Sequence, residues 1–383
     1  MSPLRIIVLG YVIRGPLGGM TWHHLQYVLG LTQLGHDVYF FEDSDDYQSC
    51  YDPSRMTMGV DPAYGLAYAA DAFSRVGLGD RWAFYDAHTR RWLGPCAASA
   101  LDICASADIV LNVSGVNPLR SWLMQAPSRV LIDTDPAFTQ VRHLTDADAC
   151  RVATAHTAFF SFGECIGQRS TIPDDGLPWK ATRQPVVLDM WPVTPGPEQG
   201  HFTTVMVWES YEPREYEGRR YGLKSESLLS YLDLPASTTA SFELAIGASS
   251  EVKDTLTQCG WAVCNPLVVA RDPWEYQAYI RKSRAEFSVA KHGYVASRSG
   301  WFSERSTAYL ASGRPVVAQD TGFSDHLPTG EGLLSFRTPD DALAAIESVN
   351  DDYERHCNAA RLLAERHFDA RLVLSRLVEQ ALA

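Results

Sequence analysis

Several stretches of this chain have the residue types and spacing to hold an anion. In "GPLGGMT" (15–21) three glycines precede Thr21, so backbone N–H groups and the start of a helix capped by Thr21 would face an anionic or hydroxyl-rich ligand. The spacing is neither GxGxxG nor GxxxxGK[ST], which argues against a dinucleotide and against direct ATP hydrolysis. A tight strand-to-helix turn, with glycine supplying only unusual backbone angles, is the plain alternative. His23 and His24 follow in the first helical turn. A helix N-terminus disfavours imidazolium, so either would stay neutral and usable as a base, unless it only caps or packs. In "IDTDP" (132–136) Asp133 and Asp135 end an apolar run, and Pro136 turns the chain. A carboxylate there would orient a histidine or take a proton from a hydroxyl, with an Asx-turn as the alternative.

The second half of the chain carries a matching series. "GRRYGLKSES" (218–227) sets Arg219, Arg220 and Lys224 before Ser225, a basic group at a helix start suited to a diphosphate. "HGYVASRSGWFSERS" (292–306) holds Arg298, Gly300, Trp301 and Ser303, with small residues whose backbone a phosphate can approach. Glu304 and Ala308 share a face of the helix that follows, and a carboxylate at 304 would bridge two ribose hydroxyls. "QDTGF" (319–323) offers Asp320, Thr321, Gly322 and Phe323 at a turn facing sugar hydroxyls. Each has a structural alternative: a solvated Arg, a surface Glu, an Asx-turn Asp. In order, they would serve the diphosphate, ribose and sugar of a nucleotide sugar.

The elements that must position these groups read as an α/β chain. "RIIVLGY" (5–11), a helix over 21–34 and "DVYFFED" (37–43) make one βαβ unit. Further strands are expected at 108–115, 129–135, 158–163 and 185–191. "WPVTPGPEQG" (191–200) breaks the pattern as a linker. A second series then runs through strands at 202–208, 241–247, 266–270, 286–290 and 314–320. Its helices are expected near 222–232, 251–258, 272–284 and 339–349, and one long helix over 352–381. The expected domains are 1–193, binding the acceptor, and 201–365, binding the nucleotide sugar, joined by 194–200. A terminal helix over 366–383 packs back on the first. Two such sheets bring the carboxyl ends of their strands to a shared cleft.

The bulk numbers narrow the ligand. With 383 residues, 46% hydrophobic and 21% charged, the chain suits two globular domains. A formal charge of −13 without a basic stripe argues against a nucleic acid polymer. Eight cysteines without a CxxC read as free thiols, not as a zinc site. No run of 18 apolar residues and no cleavage pattern after the first strand are found, so a cytoplasmic protein without a membrane span is expected. The aromatics Tyr47, Tyr51, Tyr64, Tyr68, Trp82, Phe84, Tyr85 and Trp92 would serve either the core or a site for a bulky, ring-containing acceptor.

"YLASGRPVVAQDTGF", "SGWFS" and "GGMTWHHLQYVLGLTQLGHDVYFFE" together resemble the GT-B glycosyltransferases, enzymes of two facing Rossmann-like domains. The resemblance spans both domains and is strongest over 5–43 and 286–336. It implies donor-binding roles for Gly18, Gly19, Arg220, Lys224, Gly300, Ser303 and Asp320 to Gly322, a catalytic or donor-sugar position for His23, and an acceptor held mainly by the first domain. It also implies neither metal nor cofactor, with a nucleoside-diphosphate sugar as substrate. The family's ribose-binding Glu falls on Ala308, and the paired glutamates of many retaining members fall on Gly300 and Ala308. Their absence points to an inverting displacement with His23 or Asp135 as base and Glu304 in place of the ribose-binding acid. The expected activity is transfer to a hydroxyl or amine of a small molecule or glycan. A nucleotide-sugar epimerase, a hydrolase or a non-catalytic binding protein of the same fold is the alternative.

Overall fold

The computed structural model describes residues 3–197 and 199–383. The linker expected over 194–200 includes Glu198, which lies outside them, as do Met1 and Ser2 of the first expected domain.

The first sheet is built from β1 (Arg5–Leu9), β2 (Asp37–Asp43), β3 (Trp82–Asp86), β4 (Arg91–Leu93), β5 (Ile109–Val113), β6 (Ser128–Asp133), β7 (Ala158–Ser161) and β8 (Lys180–Ala181). Their order is β8-β7-β6-β5-β1-β2-β3-β4, parallel except where β4 folds back on β3. The second sheet contains β9 (Phe202–Val207), β10 (Phe242–Gly247), β11 (Ala262–Cys264), β12 (Ala285–Ser288), β13 (Val316–Gln319) and β14 (Leu333–Phe336). Its order is β11-β10-β9-β12-β13-β14, all parallel. These are two open doubly wound sheets, each reversing strand order beside its first strand, where ligands of such sheets bind. The apolar runs of the inner strands are buried on both faces, as parallel strands between helical layers must be.

Four helices position the site: α1 (Gly18–Gln33), α2 (Glu304–Ala311), α3 (Tyr353–His367) and α4 (Ala370–Leu382). α1 is buried nearly all round because it lies between the first sheet, the second lobe and α4. Trp22 Nε1 donates to Pro273 O at 2.7 Å, and Gly18 N to Ala270 O at 2.8 Å, across the interface. α4 returns the chain to the first lobe, where Ser128 Oγ donates to Ala381 O at 2.9 Å.

Four local expectations are corrected. α1 begins at Gly18, and the Thr21 hydroxyl donates to Leu17 O at 2.9 Å within the helix instead of capping it. "PVVLDMW" is no strand: Val186 bridges only Asp369, and Leu188–Met190 form a 3₁₀ turn. Pro266–Val269 is a short helix, since the Asn265 side chain accepts from Leu267 N at 3.0 Å and Pro266 suits the first helical position; the strand lies just before it, at β11. The long terminal helix breaks at Phe368–Asp369 into α3 and α4, with the Asp369 side chain capping the latter.

Gly30 shows how tightly α1 and α4 mesh. A Cβ there would lie 2.6 Å from Leu374 Cδ1 and 2.8 Å from Ala370 Cβ. Gly30→Ala should therefore destabilise the fold: the helix-propensity gain of about 1 kcal/mol is outweighed by an overpacking cost of about 1–3 kcal/mol. A Tm below that of the wild type checks it, and a rise contradicts the packing described.

Candidate active site

The carboxyl ends of β1, β6, β9, β10, β11 and β12 surround one cleft of about 960 Å³ between the two lobes. Its second-lobe wall carries Lys224, Ser303, Glu304 and Arg305. Arg305 is buried and pinned by Glu286 Oε1 (2.5 Å), Ser288 Oγ (2.7 Å) and Val205 O (2.8 Å), which fixes α2 on the ends of β9 and β12. Ser303 caps α2, its Oγ accepting from Arg305 N at 3.2 Å, so Glu304 is the first residue of the helix.

Two charged side chains in this wall are unengaged. The Lys224 ammonium and the Glu304 carboxylate have no hydrogen-bond partner among the described residues. Burial, followed by the Arg305 and Lys291 cations, lowers the Lys224 pKa to about 7, against the weaker pull of Glu304 and Glu286. A half-buried, repelled lysine is a poor structural element and a ready receptor for an anion.

On the first-lobe wall stand Gly19, Met20 and His23. Burial lowers the His23 pKa to about 4, so its imidazole is neutral at physiological pH. His24 is structural: Nδ1 sits 2.8 Å from Met20 O, and its ring occupies the space where a Cβ on residue 10 would go, which explains Gly10. The loop carrying Tyr11 is held by Glu42, buried at the end of β2, whose oxygens accept from Val12 N (2.6 Å), Ile13 N (2.8 Å) and Arg14 N (2.6 Å).

Asp135 crosses the cleft. One oxygen accepts from Lys291 Nζ at 2.9 Å and from the Tyr294 hydroxyl, and the other from the Tyr211 hydroxyl. Lys291 also donates to the Tyr211 oxygen at 2.6 Å. Burial and the adjacent carboxylate push both phenols up, keeping them as donors. Trp301 extends the seam, with its indole N–H on Thr134 O at 3.2 Å and its ring against Tyr294. Asp135 thus joins the lobes instead of standing free as a base.

Of the residues singled out in the sequence, His23, Asp135, Gly19, Lys224, Trp301, Ser303 and Glu304 line the cleft. The others lie elsewhere, each for a physical reason. Gly18 packs on the Asp272 backbone across the lobe interface. Arg220 is turned outward, paired with Glu226 at 2.9 Å, and Arg298 pairs with Asp325 at 2.6 Å. The Gly300 N–H is spent on Thr321 O at 2.8 Å, and the glycine abuts Cys165, where a Cβ would clash. The Thr321 hydroxyl returns a bond to Trp301 O at 2.6 Å. Asp320 braces its own turn, accepting from Gly322 N at 2.9 Å and from Arg337 at 2.6 Å. Gly322 supplies that turn's φ of 101°, and Phe323 is buried on Phe302. Ala308 is buried and lines a small recess together with Gly19, His23 and Glu304. Asp133, likewise buried, braces its loop through Thr139, Gln140 and Ser161.

Sequence reasoning missed Lys291, Tyr211 and Tyr294. Position was the available signal for the first, since Lys291 stands just beyond the carboxyl end of β12. It also missed the Glu286–Arg305 pair, although a charged residue inside the apolar run of β12 was a cue that a buried partner existed. Of the eight aromatics weighed for an acceptor site, only Tyr51 lines the cleft. Trp82 and Phe84 are core, and Tyr68 bonds Thr21 Oγ1 at 3.0 Å.

No protein-family model and no curated sequence matches this chain. Solved structures do match along its whole length. An α-glucosyltransferase in complex with UDP-glucose and DNA containing an abasic site superposes with a TM-score of 0.60 at 11% identity, covering 100% of both chains. AviGT4, a glycosyltransferase of avilamycin A biosynthesis, gives 0.56 at 15% identity over 99% of this chain and 97% of that one. HepE of Anabaena, in complex with UDP and glucose, gives 0.57 at 11% identity over 98% and 99%. At these identities the likeness is one of fold, and the fold is the GT-B arrangement of two facing Rossmann-like units. Among the described residues no helix is long and apolar enough to cross a membrane.

The Asp135–Lys291 pair should be a measurable tether, with side chains 29% and 14% exposed. In a double-mutant cycle of Asp135→Asn and Lys291→Met followed by urea denaturation, a coupling of about 1 kcal/mol or more is expected. Additive effects would show that the pair carries no interlobe energy.

Proposed function

We propose that this protein is a glycosyltransferase that moves a sugar from a nucleoside diphosphate to a hydroxyl or amine of a small-molecule or glycan acceptor, by direct inverting displacement without a metal. The observation that carries the reading is the unengaged Lys224 ammonium beside the unengaged Glu304 carboxylate, at the carboxyl ends of the second sheet and facing the first-lobe wall. A cation next to the N-terminus of α2 suits a diphosphate, and a carboxylate with both oxygens free suits a pair of vicinal hydroxyls. The fold supports it, because the superposed structures with bound nucleotide are glycosyltransferases.

In the reaction the acceptor oxygen or nitrogen bonds to the anomeric carbon, the bond from that carbon to the β-phosphate oxygen breaks, and the diphosphate leaves with the electron pair. Lys224 and the free N–H groups at the start of α2 stabilise the leaving charge. The acceptor proton passes to a base. The neutral imidazole of His23 is placed for that role better than Asp135, whose oxygens already accept from three donors. Glu304 grips donor hydroxyls where the ribose-binding acid at 308 is absent.

The direct test is a panel of nucleotide sugars scored for nucleotide release with and without candidate acceptors. Acceptor-dependent release is expected, and no release under any condition overturns the reading. His23→Ala should lower turnover by about a hundredfold or more.

The pH profile adds a sharper check. Diphosphate binding needs the Lys224 ammonium, which is present below about 7 in the free protein and lost as pH rises through that value. For the donor, kcat/KM should therefore fall by up to about tenfold per pH unit above 7. The His23 limb lies near 4. Because its charge is disfavoured by the fold, Lys224→Met should raise Tm while weakening UDP binding by about a hundredfold. A lowered Tm, or unchanged UDP affinity, would remove Lys224 from the donor site.

A further inference from the structure

The hairpin formed by Cys50–Asp52 and Thr57–Gly59 stands at the lip of the cleft on the first-lobe side. Tyr51 and Met56 line the cleft, and Tyr51 pairs directly with Met58 across the hairpin. Residues directly opposite in an antiparallel pair share a face, so Met58 lies on the side of Tyr51, and Met56 reaches the cleft from the turn that joins the two strands. Met56 and Met58 are 75% and 56% exposed. Tyr11, Leu17 and Met20 line the same cleft deeper in the first lobe. Apolar side chains of the first lobe thus line the cleft from the hairpin at its lip to the residues beside His23.

Isolated exposed apolar residues need no explanation, but a set at the lip of an apolar cleft wall does. Its charge surroundings select the occupant. Over residues 44–62, Asp45, Asp46, Asp52 and Asp61 stand against Arg55 alone. Arg55 is paired with Asp52 at 3.7 Å and Asp46 with Arg120 at 3.0 Å, which leaves Asp45 and Asp61 without a cationic partner among the described residues. A phosphate backbone would be repelled there. A sugar chain would want hydroxyl-binding groups, where this part of the wall presents thioethers and phenol rings. Thioethers adapt to flat ring systems and make favourable contacts with them.

We infer that the acceptor is an uncharged, ring-bearing apolar molecule, lying along Tyr11, Met20, Tyr51, Met56 and Met58 with its nucleophilic group directed into the cleft. This rests on the glycosyltransferase reading above, and narrows its acceptor to one chemical class.

The test uses the full-length protein saturated with UDP, with the UDP titration recorded first. N-phenyl-1-naphthylamine serves as a neutral ring probe read by fluorescence, and maltotriose and short duplex DNA serve as competitors. The probe should bind the wild type, and Met56→Glu with Met58→Glu, both on an exposed hairpin, should weaken it by at least about tenfold while UDP affinity stays unchanged. Neither competitor should displace it. Absence of probe binding, indifference to the paired substitution, displacement by maltotriose or DNA, or a dimer that the substitution dissolves would each overturn the inference. Failure of UDP itself to bind would instead count against the glycosyltransferase reading, so the two failures are distinguishable.

Discussion

One carboxylate shared across the cleft ties its two walls together. Asp135 ends the first lobe's loop after β6, and its three donors, Lys291, Tyr211 and Tyr294, all belong to the second lobe. A charge-assisted cluster of this kind is sensitive to position, since removing a member leaves the others without that partner. It sits on the same seam as Trp301, and lines the same cleft as His23 and Glu304. Further bonds join the lobes along the same interface, among them Trp22 to Pro273 O, Cys165 N to Ser299 O, Thr171 N to Ser297 O and Trp301 to Thr134 O.

The lobes are also prevented from sliding by shape. α1 contributes glycines at two points of close approach, Gly18 against the Asp272 backbone and Gly30 against α4. The Gly300 turn lies against Cys165 in the same way. Burial lifts the Cys165 pKa to about 11, so it is a thiol packing on the turn and not a reactive thiolate. Glycines that look in sequence like a phosphate cradle are here points where one backbone must approach another.

That distinction marks where the sequence was legible. Strands such as "RIIVLGY" and "DVYFFED" announce themselves because a strand buried on both faces must be continuously apolar. "PVVLDMW" has the same composition and fails as a strand because its backbone is already engaged elsewhere: Val186 N donates to Phe368 O at 2.7 Å, and Val187 N to Gln26 Oε1 at 2.7 Å. Its valines instead fill the space between α1 and the terminal segment. In "NPLVVA" the helix signals were present in Asn265 and Pro266 and outweighed the β-branched pair. For the cleft, Lys224 and Glu304 could be found because each is the first residue of a helix that the architecture aims there, and His23 because it follows in the helix after the first strand. The Asp135 cluster could not, because partners 76 to 159 residues apart leave no spacing to read.

The proposal that an acid at 304 takes over from one at 308 rests on the unengaged pair in the second-lobe wall. Within α2 the four-residue offset keeps both on one face but moves the side chain one turn toward the helix N-terminus. At 308 the residue is buried, whereas at 304 it is the first residue of the helix, where the dipole favours a carboxylate. In the proposed donor complex the same end of the helix also faces the diphosphate, so the two anions would compete were it not for Lys224 and Arg305. Arg305 is already committed to Glu286. In the proposed donor site the balance of charge therefore falls to Lys224, whose positive charge is disfavoured by burial and by the Arg305 and Lys291 cations. A ligand that relieves this repulsion gains in affinity what the free protein loses in stability.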